Sequence, residues 1–159
     1  MFTLPWYSIL LLTIPQVFLS ILIGFQLFNR HLDFRKCLAA ACLVGIVTYF
    51  LRGTFVTPGL HSILIILVMA LSITLINRGN ILYNFFAAIL GAMIMGVIEG
   101  IWVPIFFSLT STSVVDLSLN PWLNIGCFAP ILLVAIILYI IIRRKNFYIY
   151  NLGEKDNYI

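Results

Sequence analysis

Charged residues are scarce in this chain: 9% of its 159 positions, against 63% that are hydrophobic. A soluble globular domain needs a much larger charged fraction on its surface, so that class is excluded. Acids are scarcer still, five in all, and between Arg78 and Asp116 the one charged residue is Glu99. Cysteine is limited to Cys37, Cys42 and Cys127. The odd count and the lack of a CxxC pair argue against a disulfide framework, and packing is the default role of all three. The two histidines, His31 and His61, fall on opposite sides of the topology read below, so they cannot share a zinc or a haem. No phosphate loop, Walker motif or GxSxG is present. No metal, cofactor or catalytic residue is therefore expected. A basic region with a small-residue cleavage site is missing from "MFTLPWYSILLL", so the first apolar run is expected to remain as a spanning helix.

What the chain has in abundance is long apolar runs, with a mean hydropathy of +1.15. Five segments stand out, at about 4–28, 37–51, 61–76, 81–109 and 122–142. Runs of this length read as transmembrane helices. The expectation is an all-α, polytopic membrane bundle of five spanning helices, or six if segment 81–109 is split. One domain over 1–142 is followed by a short basic tail, 143–159. The second and third segments are short for a span, and Pro58-Gly59 between them reads as a tight turn.

Lysine and arginine set the orientation. Arg30, Arg35, Lys36, Arg78, Arg143, Arg144, Lys145 and Lys155 fall on one side, and Arg52 alone on the other. The positive-inside rule then gives an outer N-terminus and an inner C-terminus. The net charge of +4 is thereby assigned to membrane orientation, and nucleic acid is not an expected partner.

Three sets of residues invite a role. Ala88, Ala92, Gly96 and Gly100 recur every four residues along the fourth segment. Small residues so spaced let helix backbones approach closely, either within the bundle or between two copies. That spacing makes the fourth helix the expected centre of the bundle. Beside it lies Glu99, roughly 25 Å along its helix from the inner end. An acid at that depth is costly and seeks a partner. Arg52 and His61 are assigned to the same level, so Glu99, Arg52 and His61 form either a buried ion pair or a ligand or ion site; a neutral, lipid-facing Glu99 is the alternative. On the first segment, Thr13, Gln16, Ser20 and Gly24 share one face, beside Pro15, which should perturb the helix. Interhelical hydrogen bonding is the simpler account of that stripe, and lining a cavity the functional one. His31 with Cys37 at the inner mouth of the second segment is the best nucleophile–base pair, but no third orienting group accompanies it. A snorkelling histidine and a packing cysteine explain it more simply.

"VGIVTYFLRGTFVTPGLHSILIILVMAL" (Val44 to Leu71), with "GVIEGIWVPIFFSLT", "LNPWLNI" and "LLVAIILYIIIRRKNF", resembles the membrane-embedded sensor region of Firmicutes receptor histidine kinases of the GHKL-ATPase type. The resemblance implies a multi-pass protein of the bacterial cytoplasmic membrane and a signalling role. Only 17 residues follow Ile142, too few for an ATP-binding kinase domain, so a stand-alone sensor-like module is expected. Its partners would be the lipid bilayer, a second copy of itself, and a histidine kinase or another membrane protein. A structural subunit of a membrane complex is the runner-up, and a small substrate-capture or transport component the third.

Overall fold

The computed structural model describes residues 7, 9–30, 32–52, 58–77 and 80–149. Those residues are mostly helical, with no strand among them. A π-helical turn, Ile9–Thr13, leads into α1, Ile14–Leu27; then follow α2 (Phe34–Arg52), α3 (Pro58–Asn77), α4 (Ile81–Thr110), α5 (Val114–Leu119) and α6 (Pro121–Arg144). Leu10–Leu27, Phe34–Leu51, Ile81–Thr110 and Pro121–Arg144 are each long and apolar enough to cross a membrane; Ser62–Asn77 is apolar but shorter. The fourth segment is one continuous 30-residue helix despite Pro104. It is not split.

Local chemistry explains where the helices begin and end. Pro15 lies in the first turn of α1, directly after a helical π turn, and supplies no N–H to the carbonyls of that turn. The irregularity expected beside it takes the form of the preceding π turn. The Asn80 side chain caps α4 by accepting from Leu82 N at 3.0 Å. α1 ends with Asn29 in the left-handed region (φ 52°), Asn29 N donating to Gln26 O and Arg30 N to Phe25 O. α6 ends the same way at Asn146 (φ 48°), with Asn146 N on Arg143 O and Phe147 N on Ile142 O. Both are Schellman closures in which asparagine stands where glycine is commonest.

The centre of the bundle is α1, not α4. Of Leu10–Leu27, 61% is buried, against 28% of the apolar 18-residue window within Ile81–Thr110. One side of α1 (Val17, Ile21, Phe25) joins a core with Cys37, Ala41 and Val44 of α2, Met69 and Ile73 of α3, and Ala87 and Ala88 of α4. Its other side (Leu19, Ile23, Leu27) joins Met95 of α4 and Ile131, Ala135 and Ile142 of α6. The expectation of a central α4 fails because that helix leaves Met93, Val97, Ile101 and Ile105 uncovered.

The helices alternate in direction. Lys36 reaches Asn77 at 3.3 Å, Asn84 reaches Thr74 at 2.9 Å, and Ile149 N donates to Leu27 O at 2.8 Å. The C-terminal ends of α1, α3 and α6 and the N-terminal ends of α2 and α4 therefore gather at one end of the bundle. Among the described residues Arg30, Arg35, Lys36, Arg143, Arg144 and Lys145 belong to that end. Tyr7 stacks on Trp122 at the other, with ring centroids 6.3 Å apart.

α5 lies in what the sequence suggested was a loop. Ser113 and Asp116 form its capping box: Asp116 accepts from Ser113 N at 2.7 Å, and Ser113 Oγ accepts from Asp116 N at 3.4 Å. The bonds from Ser113 hold the Asp116 carboxyl below its ordinary value. A lowered folded-state value means the contribution is complete above the ordinary carboxylate range and lost as pH falls through the folded value. We expect protection of the α5 amides, read by hydrogen exchange, to fall on acidification; in Asp116→Asn it should already be low at neutral pH. Equal protection in the two proteins would show the box to be idle.

Backbone meets backbone between α1 and α4. A Cβ on Gly24 would collide with the Ala87 carbonyl, and one on Gly91 with the Ser20 carbonyl. At Gly96 and Gly100 a Cβ would meet nothing within 4 Å. Gly24→Ala or Gly91→Ala should therefore cost about 1–3 kcal/mol through overpacking. Gly96→Ala should gain up to about 1 kcal/mol from helix propensity. Unfolding in detergent measures both, and a stable Gly91→Ala protein would contradict the close contact.

Candidate functional site

From Gln16 onward the polar stripe on α1 meets α4. The Gln16 side chain donates through Nε2 to Glu99 Oε1. One turn on, the backbone of Ser20 lies against Gly91, and one turn further Gly24 lies against Ala87. Thr13 and Ser20 are buried. The pairing runs in opposite directions along the two helices, as antiparallel neighbours require. Gln16, Ser20 and Gly24 of the stripe all meet α4.

Glu99 is thus held from α1 by an amide. Half-buried, it sits between Gly96 and Gly100, which are both exposed. A carboxylate oxygen can accept more than one hydrogen bond, so the group keeps capacity for a second donor arriving from the bundle surface. One turn further along α4, Trp102 donates from Nε1 to Cys127 O at 2.8 Å. That carbonyl lies one residue after Gly126, whose own carbonyl Pro130 leaves without a ladder donor. Amide and indole bonds together tie this stretch of α4 to α1 on one side and α6 on the other.

The expected cationic partners of Glu99 stand differently. Arg52 closes α2, which is not among the close neighbours of α4. His61 lies in the first turn of α3. The register set by the Thr74–Asn84 bond brings that turn level with residues 97–99 of α4. The side chains of Arg52 and His61 lie outside the described residues, and so does any bond from either to Glu99.

The expected small-residue seam divides in two. Ala88 is fully buried and Ala92 packs against the core of α1–α4. Gly96 and Gly100 face outward and touch no other helix among the described residues. The contact with α1 follows Ala87, Ala88, Gly91 and Met95, and by Gly96 the helix has turned its small residues away. His31, of the His31/Cys37 pair, lies outside the described residues. Cys37 is 1% exposed, beside a crevice lined by Leu32, Ile73 and Ile76. No group of three or more metal-ligating side chains occurs among the described residues.

Sequence reading did not single out Asn84. It is fully buried, and its Nδ2 donates to Thr74 Oγ1, whose own hydroxyl donates to Ala70 O at 2.8 Å. Its available signal was being the sole amide side chain in α4. Asn84 Oδ1, Ser20 Oγ and Thr48 Oγ1 find no hydrogen-bond partner among the described residues.

No protein-family model matches the chain, and searches of curated proteins and of solved structures find no match either.

The Gln16–Glu99 contact is open to a direct energetic test. A double-mutant cycle over Gln16→Leu and Glu99→Gln should give a coupling of about 0.6–1.7 kcal/mol, the range of interhelical hydrogen bonds in membranes. Additive effects on unfolding would show the contact to be energetically silent.

Proposed function

We propose that the chain is a non-catalytic, sensor-like membrane module with an outer N-terminus and an inner C-terminus, and that Glu99 is its ligand-responsive group. The observation carrying this reading is the Gln16–Glu99 contact. It joins the most central helix to α4 at the end away from the basic residues. A cationic or hydrogen-bond-donating ligand reaching Glu99 would compete with Gln16 and loosen α1 from α4. The far end of α1 is bonded to the segment after α6 through Leu27 and Ile149. A shift of α1 would thus be felt where the chain leaves the membrane on the inside. The resemblance to receptor-kinase sensor regions supports the same role, with a cytoplasmic kinase as the proposed recipient. Burial of Cys37 favours a packing role over a nucleophile, in keeping with a module that does no chemistry.

The positive-inside rule supports the orientation, since the helix ends that gather together carry the basic residues. Five spans would follow if α3 crosses with the other four.

A second reading rests on a different observation. Gly96, Val97, Gly100 and Ile101 form an uncovered small-and-apolar face of α4, suited to a helix from a second copy or another membrane subunit. On that reading the chain is a structural component.

The two readings separate in a thermal-shift experiment with short cationic peptides on the detergent-solubilised chain. A ligand that displaces Gln16 should bind Gln16→Leu more tightly than wild type and leave Glu99→Gln unshifted. If all three proteins respond alike, Glu99 is not the ligand-responsive group.

A further inference from the structure

The two ends of the bundle differ in more than charge. Six basic side chains from two separate stretches converge at one of them: Arg30, Arg35 and Lys36 around the α1–α2 connection, Arg143, Arg144 and Lys145 at the exit of α6. Their convergence is a product of folding. Ile142 packs into the same core cluster as Leu27, and Ile149 N bonds Leu27 O, so the exit of α6 is fastened beside the residue that leads into Arg30. Asp33, the one acid at this end among the described residues, already pairs with Lys36 at 3.5 Å. Arg144 and Lys145 are exposed. Large apolar side chains share the surface with them: Phe34, Phe147 and Tyr148 are 63%, 58% and 46% exposed.

We infer that this end is a docking surface for the head groups of anionic phospholipids in the leaflet that borders it. Juxtamembrane clusters of lysine and arginine attract negatively charged lipid over roughly a Debye length. Charge alone would serve an acidic protein equally well. The interleaved aromatic rings decide for lipid, because such rings settle at the membrane interface while the long basic side chains reach the phosphates. The left-handed turn at Asn146 is what brings Phe147 to Ile149 back to the bundle instead of letting the chain run on into solution. The inference rests on the membrane reading but not on any ligand at Glu99.

The test titrates the full chain in neutral detergent with phosphatidylglycerol, phosphatidylcholine, inorganic phosphate and a poly-glutamate peptide, reading thermal stability. Phosphatidylglycerol should raise the melting temperature where phosphatidylcholine and phosphate do not, and added salt should shrink the effect. Each basic residue near an anionic surface is worth about five-fold in affinity. Arg143→Gln/Arg144→Gln/Lys145→Gln should therefore weaken the phosphatidylglycerol response by more than about ten-fold. The charge-keeping Arg143→Lys/Arg144→Lys should preserve it, as should Asp116→Asn at the other end. Should the triple variant not fold, the lipid selectivity and salt dependence of the wild-type protein decide the matter. Equal responses to the two lipids would overturn the proposal and leave the membrane-spanning reading intact. A shift with phosphate alone would reassign the surface to a soluble anion, and one with poly-glutamate to an acidic protein; either overturns it.

Discussion

Everything at the candidate site depends on how closely α1 and α4 approach at Gly24 and Gly91. In lipid, apolar side chains gain little by leaving their surroundings, so helices associate through close packing and polar contacts. Two glycines on facing helices let backbone meet backbone, each lying where the other helix presents a carbonyl. That spacing sets the distance at which every other pair across the seam must meet. Gln16 and Glu99, two turns beyond, are in reach only because the helices have already been drawn together.

The same approach explains why α1 is central although it is among the shorter helices. With one face pressed on α4, its remaining surface is divided between the core it shares with α2 and α3 and the core it shares with α6. α6 joins this arrangement running parallel to α1, and the two helices finish with the same asparagine-based closure. Each closure satisfies carbonyls that would otherwise be left open at a helix end. The bond from Ile149 then secures one of these endings to the other.

The helix plan was legible because it is written in hydropathy and in the placement of lysine and arginine, both averaged over many residues. Seams are finer. The repeat of Ala88, Ala92, Gly96 and Gly100 is real as a pattern, yet a period of four drifts around a helix of 3.6 residues per turn. It also cannot say which part meets protein and which meets lipid. Gly91 lay outside that pattern and only acquires meaning with Gly24 on another helix. The stripe of Thr13, Gln16 and Ser20 was the more informative signal, since polar groups in an apolar helix must face something that satisfies them. Charge points to a cationic partner for Glu99, and the side chains of Arg52 and His61 lie outside the described residues; an amide carries no charge to find it by. Gln16 was therefore seen as part of a stripe without being matched to its acid.

Polar groups in this bundle are sorted by what surrounds them. Ser20 is sealed against Gly91, and Asn84 is held by Thr74 near the basic end. Both are buried in contacts between helices, where a second molecule has no approach. A continuous polar path along α1 and α4 is thus interrupted at the glycine contact, which argues against conduction along that seam. Glu99 is different, because its helix is flanked there by exposed glycines that put no side chain in the way. The packing that closes the seam at Gly91 leaves it open about two helical turns later. If α4 had kept its small residues turned towards α1 as far as Gly100, Glu99 would be as enclosed as Asn84, and its role could only be structural.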